Sequence, residues 1–286
     1  MTFFSGSKKL YEIIEEIADH LIDNYADWSD GDTTWTTEDP SGDNAKRCLY
    51  HSDGLYITLE QINTSRKVHT SGYYAKGLRT YVSDDWDSEN HKPAGNQMYS
   101  FIQTEGCSGS VQADLATLLF SYYSWVAANG FVLLATPSAH SSDDRQGAFI
   151  LVWERNTNKL YSDSYTNFYC YNRCAYLNYS YYSGWRTHNV IRPFAFQANG
   201  YTSGYERTYY PSRNYGNDKV YYAFPYIHNA QDNSRHIYVP ELFLEWASGR
   251  GLIDGDVLLV DSKKYLLKRI SSPDTTTDLY YGIRYT

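Results

Sequence analysis

Between Tyr161 and Tyr226 the chain carries 16 tyrosines and only three acids, Asp163, Glu206 and Asp218. A tyrosine ring has too much apolar area to leave in water and a hydroxyl that needs a partner when buried. A segment this rich in tyrosine must therefore cover a surface. No helical period runs through "NFYCYNRCAYLNYSYYSGW" (167–185), and this many aromatics argue against disorder. The region 156–230 reads as an ordered elaboration, mostly irregular backbone with short strands such as "HNVIRPFAF" and "KVYYAFPYI". Tyr together with Ser, Gly and Asn is the composition of binding surfaces. The rings either cover a sheet of their own chain or meet another polypeptide. The second reading makes Tyr169, Tyr171, Tyr176, Tyr179, Tyr181, Tyr182 and Trp185 interface residues.

Outside this region the periodicities are clearer. Leu10, Ile13, Ile14, Ile17, Ala18, Leu21 and Ile22 form the stripe of an amphipathic helix over 8–25, with Ser7 as its N-cap and Glu12, Glu15, Glu16, Asp19 and Asp23 facing outward. A second helix is expected over 113–129, where Leu115, Leu118, Leu119, Tyr122, Tyr123, Trp125 and Val126 make a broad face and Asn129-Gly130 ends it. "RCLYHSDGLYITLEQI" reads as a hairpin turning at Asp53-Gly54. "KGLRTYVS", "FVLLATP" and "AFILVWER" read as strands, and "DGDVLLVDSKKYLLKRI" as a hairpin around Asp261-Ser262. "ADWSDGDTTWTTEDPSGDN" is a loop anchored by Trp28 and Trp35. The expected fold is a single α+β domain over 1–286, with two amphipathic helices packed on a mixed or antiparallel sheet, the Tyr-rich elaboration, and C-terminal β-strands.

Charge excludes one class of partner. The chain is acidic, at net −8, and no run of Lys or Arg exceeds a pair, so a nucleic-acid backbone finds little to hold. No apolar run is long enough to span a bilayer, and the N-terminal stretch lacks the order of a signal peptide. Folding in a cytoplasm is expected. Cys48, Cys107, Cys170 and Cys174 are spaced too irregularly for a disulfide framework and are expected as free thiols, although Cys170 and Cys174 are close enough in sequence that their pairing stays open.

Catalytic motifs are weak. "GCSGS" (106–110) lacks the final glycine of a nucleophile elbow, and no phosphate-binding glycine loop occurs. Cys170 and Cys174 would need two further ligands to bind a metal. Asp85, Asp87 and Glu89 occupy calcium-loop positions, but Asn90 and Asn96 stand where that loop needs glycine and a bidentate glutamate, which leaves a solvated acidic turn. Glu60, Glu105, Glu154 and Glu241 lie beside strand-like runs and keep a two-carboxylate polysaccharide hydrolase open, with Glu154 read as a solvent-exposed partner of Arg155. No cofactor, metal or catalytic residue is assigned.

The motifs "DTTWTT", "LVWERNTNKLYSDSYTNFYCYN" and "GLIDGDVLLVDSKKYLLKRISSPD" resemble those of virion structural proteins of tailed bacteriophages, over most of the chain. The resemblance implies a non-catalytic particle subunit of the tail, baseplate or neck type, located in the virion after folding in the host cytoplasm. Its partners would be copies of itself and other virion proteins. The alternatives are a capsid-associated protein, or a host-receptor or carbohydrate-binding module that contacts a host surface glycan. No coiled-coil repeat is present, which departs from long fibre proteins.

Overall fold

The computed structural model describes residues 2–36, 46–67, 74–106, 114–137, 149–155, 168–177, 185–194, 221–223, 226–228, 235–237, 243–248, 253–260, 262–269 and 280–285. Along the chain, β1 (Thr2–Lys9) leads into α1 (Leu10–Asn24), followed by β2 (Trp28–Asp30), β3 (Lys46–His51), β4 (Leu55–Lys67), β5 (Tyr74–Asp87) and β6 (Lys92–Gly106). Next come β7 (Leu119–Ala127), β8 (Gly130–Pro137), β9 (Phe149–Arg155), β10 (Phe168–Leu177) and β11 (Trp185–Phe194). The C-terminal part holds β12 (Tyr221–Ala223), β13 (Tyr226–His228), β14 (Arg235–Ile237), β15 (Phe243–Ser248), β16 (Val257–Val260), β17 (Lys263–Arg269) and β18 (Tyr280–Arg284).

These strands build a six-stranded sheet in the order β1-β7-β8-β9-β10-β11, a five-stranded sheet β2-β3-β4-β5-β6, a second five-stranded sheet β12-β15-β18-β17-β16, and the ribbon β13-β14. Every pairing is antiparallel. The expected α+β fold is therefore corrected to a mostly β protein. Among the described residues α1 is the only helix.

The helical stripe reads true but its setting differs. Leu10, Ile13, Ile14, Ile17, Ala18 and Leu21 are buried. The helix touches β1 and β7 of the six-stranded sheet as well as β2, β3 and β4 of the first five-stranded sheet. One core results, in which α1 meets Leu49, Ile57, Leu59 and Val82 from one sheet and Phe120, Tyr122, Phe131, Leu133 and Trp153 from the other. Each large apolar side chain in it contributes about 1.5–3 kcal/mol by leaving water. Ser7 is not the cap, since it pairs with Ser121 on β1, and the helix starts directly after the strand at Lys9. Glu12 Oε2 accepts from the Lys9 backbone N–H at 2.8 Å.

The acids of α1 were expected outward, yet most are used within the molecule. Arg47 of β3 donates to Glu15 at 2.6 Å, to Asp19 at 3.3 Å and to Asp30 at 2.8 Å. Glu16 accepts from Lys8 at 2.8 Å and from the Tyr122 hydroxyl. Two further bonds reach the end of β7 and its turn, from the helix C-cap through Tyr25 Oη to the Val126 carbonyl at 3.0 Å and from β2 through Trp28 Nε1 to the Ala128 carbonyl at 2.9 Å.

The second expected helix, 113–129, is a strand from Leu119 onward. Its apolar positions fit two periods at once, and the alternation wins. Phe120, Tyr122, Ser124 and Val126 are buried while Leu119 and Ser121 are exposed. Aromatic and β-branched side chains favour the extended form, and β1 and β8 satisfy the backbone on either side. Asn129-Gly130 ends a two-residue connection to β8, because Ala127 pairs with Gly130. Gly130 has φ +150°, and a Cβ there would lie 1.9 Å from the Trp153 carbonyl oxygen, so only glycine fits.

Other expectations hold. The 46–67 hairpin turns at Ser52–Gly54, with Gly54 at φ +89°, and β16-β17 turns through Ser262 at φ 67°. "KGLRTYVS", "FVLLATP" and "AFILVWER" lie in β5, β8 and β9. Within the described part of the elaboration, β10 and β11 extend the six-stranded sheet beyond β9.

Candidate functional site

Tyr169, Tyr171 and Tyr176 lie on β10 and Trp185 opens β11. In the ladder Tyr169 stands opposite Glu154 and Pro193, Tyr171 opposite Val152 and Ile191, Tyr176 opposite Arg186, and Trp185 opposite Leu177. Tyr179, Tyr181 and Tyr182 lie outside the described residues, as do Cys107, most of the "GCSGS" motif and Glu241. Cys170 and Cys174 take ladder positions opposite Trp153 and Phe149, and Glu105 lies on β6 opposite Lys76. Cys48 is a buried free thiol whose pKa burial pushes far up.

A different surface stands out. Among the described residues β16 is the last strand of the C-terminal sheet, with only β17 beside it. Residues directly opposite in an antiparallel ladder share a face. Val257 faces Leu266, which faces Ile283, and Leu259 faces Lys264. Along this face burial runs out toward the edge: Ile283 is fully buried, Leu266 half-buried, and Val257 and Leu259 are 48% and 66% exposed. Ile253, just before the strand, is 64% exposed. The covered part of the sheet leans on the six-stranded sheet through Lys268 Nζ, 4.4 Å from the Tyr123 ring centre, and through Tyr285 packed edge-on against Phe3 at 5.1 Å.

A cleft of about 430 Å³ opens on the first five-stranded sheet, on the face away from α1, lined by Trp35, Lys46, Glu60, Arg79, Tyr81, His91, Lys92, Pro93 and Gln97. Register builds it. Lys46 pairs with Glu60 and Glu60 with Arg79, so a cation, a carboxylate and a second cation cross three strands in one row. Glu60 is buried, and its Oε2 accepts from Arg79 Nε at 2.9 Å and also from Nη2. Arg79 lies 5.7 Å from the Tyr81 ring centre and Lys46 Nζ 5.3 Å from that of Trp35.

Behind the cleft Asp32 is a buried anchor. It accepts from Trp86 Nε1 at 2.9 Å, from His91 Nδ1 at 2.8 Å, and from the N–H and hydroxyl of Thr34 at 3.0 and 2.7 Å. Burial alone would raise its carboxyl, but the bonds from His91, Thr34 and Trp86 outweigh it and hold the pKa well below the usual carboxylate range. Trp86 in turn packs on Trp35 at 5.2 Å and on Tyr56 at 6.3 Å, and His91 is held at φ 50°. Trp28 and Trp35 are both buried, at 3% and 9% exposed, but Trp28 belongs to β2, and residues 37–44 of the expected loop lie outside the described residues.

The acids read as a solvated acidic turn lie at the β5–β6 connection, with Asp85 and Asp87 at the end of β5 and Glu89 in the turn, where Asp87 accepts from the Asn90 N–H at 3.0 Å and side-chain amide at 2.8 Å. Among the described residues no group of His, Cys, Asp and Glu is arranged to hold a metal. Glu154 is not an exposed partner of Arg155: it is buried at 1% and accepts from Asn129 Nδ2 at 3.2 Å. Among the described residues no helix is long and apolar enough to cross a membrane. A comparison with known proteins found no matching family model and no matching curated protein.

Proposed function

We propose that this chain is a non-catalytic structural subunit of a tailed-bacteriophage virion, of the tail, baseplate or neck type, that assembles through its β-sheet edges and its tyrosine-rich strands. The observation that carries the assembly reading is β16, an edge strand whose Val257 and Leu259 remain 48% and 66% exposed while the same face is sealed two strands away. Soluble proteins blunt such edges, and an apolar one is a template for another strand.

The occupant that fits is a second copy of this chain. A two-fold axis through Leu258 places Val257 opposite Leu259 of the second copy and Leu259 opposite its Val257, so the exposed side chains meet as pairs on one face.

The phage assignment rests on the motif resemblance and is tested on particles. Mass spectrometry of purified virions should find the chain in many copies per particle, and its presence only in the lysate soluble fraction would contradict the assignment.

A further inference from the structure

We propose that the assembly surface continues past β16 into the turn at 253–256, with Ile253 as a further apolar contact, and that Lys268 is the residue that positions this turn. The inference rests on β16 being the edge at which copies meet, and it names what completes that edge. Among the described residues the large exposed hydrophobic side chains are Leu119, Ile253, Val257, Leu259 and Tyr285, and three of these five fall within 253–259. Single exposed apolar side chains are ordinary, but a group of them marks a contact. Ile253, at 64% exposed, stands at the entry to the strand that carries the other two.

The turn is built to hold still. The Asp256 N–H donates to the Ile253 carbonyl at 3.2 Å, and Gly255 supplies the φ of +97° that the third position of this turn requires. The Ile253 N–H donates to Asp256 Oδ2 at 2.8 Å, the Gly255 N–H to the Leu267 carbonyl at 2.8 Å, and the Leu267 N–H to the Asp256 carbonyl at 2.7 Å. Lys268 Nζ donates to Asp254 Oδ2 while lying 4.4 Å from the Tyr123 ring centre. The Lys268 side chain is only 14% exposed and stands opposite fully buried Tyr281 in the ladder. An ammonium so covered needs a counter-charge, and Asp254 supplies it from the turn. One side chain therefore joins the turn, the sheet that carries it, and β7 of the six-stranded sheet. An apolar contact fixed in advance loses less entropy on binding. The edge is complete only when the C-terminal sheet lies against β7, so folding precedes pairing.

The test is sedimentation equilibrium of the full chain, native beside Ile253→Ser, Lys268→Met, Lys268→Arg and the double variant Ile253→Ser with Lys268→Met, each with its melting temperature. Ile253→Ser should weaken association about tenfold, as truncation of an interface anchor does, with an unchanged melting temperature. Lys268→Met keeps an apolar stem against Tyr123 but releases Asp254, and should weaken association to a similar degree, whereas Lys268→Arg retains the ion pair and stays within about threefold of native. Because Lys268 acts through the turn, the double variant should associate no more weakly than Ile253→Ser alone. Ile253→Ser changes an exposed position and reads the surface independently of how the Lys268 variants fold. Native-strength association of Ile253→Ser or of Lys268→Met, or losses that add in the double variant, would overturn the inference and leave the β16 edge standing. A native chain that is monomeric throughout would overturn the edge reading and this inference with it.

Discussion

Arg79 donates through both Nε and Nη2 to one oxygen of Glu60, Oε2, with Nε at 2.9 Å. The carboxylate is 5% exposed and the guanidinium 19%. Removing one partner leaves the other charged in a poorly hydrated place, which costs more than the pair itself contributes. Glu60→Ala should lower unfolding free energy by about 1.5–3 kcal/mol, the range for hydrogen bonds to charged groups. A urea series on Glu60→Ala, Arg79→Met and the double variant checks it. The double variant should lose less than the sum of the singles, and strict additivity would show the two residues to be uncoupled.

Asp32 sets an acid-side stability slope. Its folded pKa lies below the ordinary value, so its contribution is complete above about pH 4 and declines as pH falls toward the depressed value. Asp32→Asn should be less stable at pH 6, by about 1–3 kcal/mol for the bonds it weakens to Trp86, His91 and Thr34. The gap to the native protein should then narrow between pH 4 and pH 2. Unfolding curves that stay parallel down to pH 2 would show that Asp32 is not the group responsible.

Gly130→Ala should damage the fold out of proportion to one methyl group. The added Cβ would sit 1.9 Å from the Trp153 carbonyl oxygen at a φ of +150°. Strain of this kind costs about 1–3 kcal/mol before the clash is counted. Thermal melting should show a loss of at least about 3 kcal/mol, whereas Ala128→Gly in the same turn should change stability by well under half of that.

Much of this architecture was legible, and the failures share one cause. The stripe from Leu10 to Leu21 belongs to a helix because only that period places six apolar side chains on one face. The Asp53-Gly54 turn and the turn through Ser262 are local chemistry, so local sequence discloses them. The stretch 113–129 misleads because Phe120, Tyr122, Ser124 and Val126 alternate while Leu115, Leu118, Leu119 and Tyr122 also repeat helically, and the neighbours β1 and β8 decide. Those neighbours lie on either side in the sheet, and no window around Tyr122 contains both. The cleft was hidden for the same reason: Lys46, Glu60 and Arg79 are far apart in the chain and meet only through strand register. Glu60 was noted as an acid beside a strand, but nothing local marks Arg79 as its partner.

The assembly account predicts a specific loss on one surface. Leu259→Lys places a charge at a position that is 66% exposed in the isolated chain, where it should alter the melting temperature by no more than a surface change does, about 0.5 kcal/mol. At the paired edge the same charge would face Val257 of the second copy and go unsatisfied.

The most direct measurement is sedimentation equilibrium of the purified chain over a range of concentrations, native beside Leu259→Lys. The account predicts that the native chain, whose monomer mass is 33.0 kDa, associates reversibly and that Leu259→Lys stays monomeric with its folding intact. A native chain that remains a monomer throughout, or a variant that associates as strongly as the native chain, would contradict it.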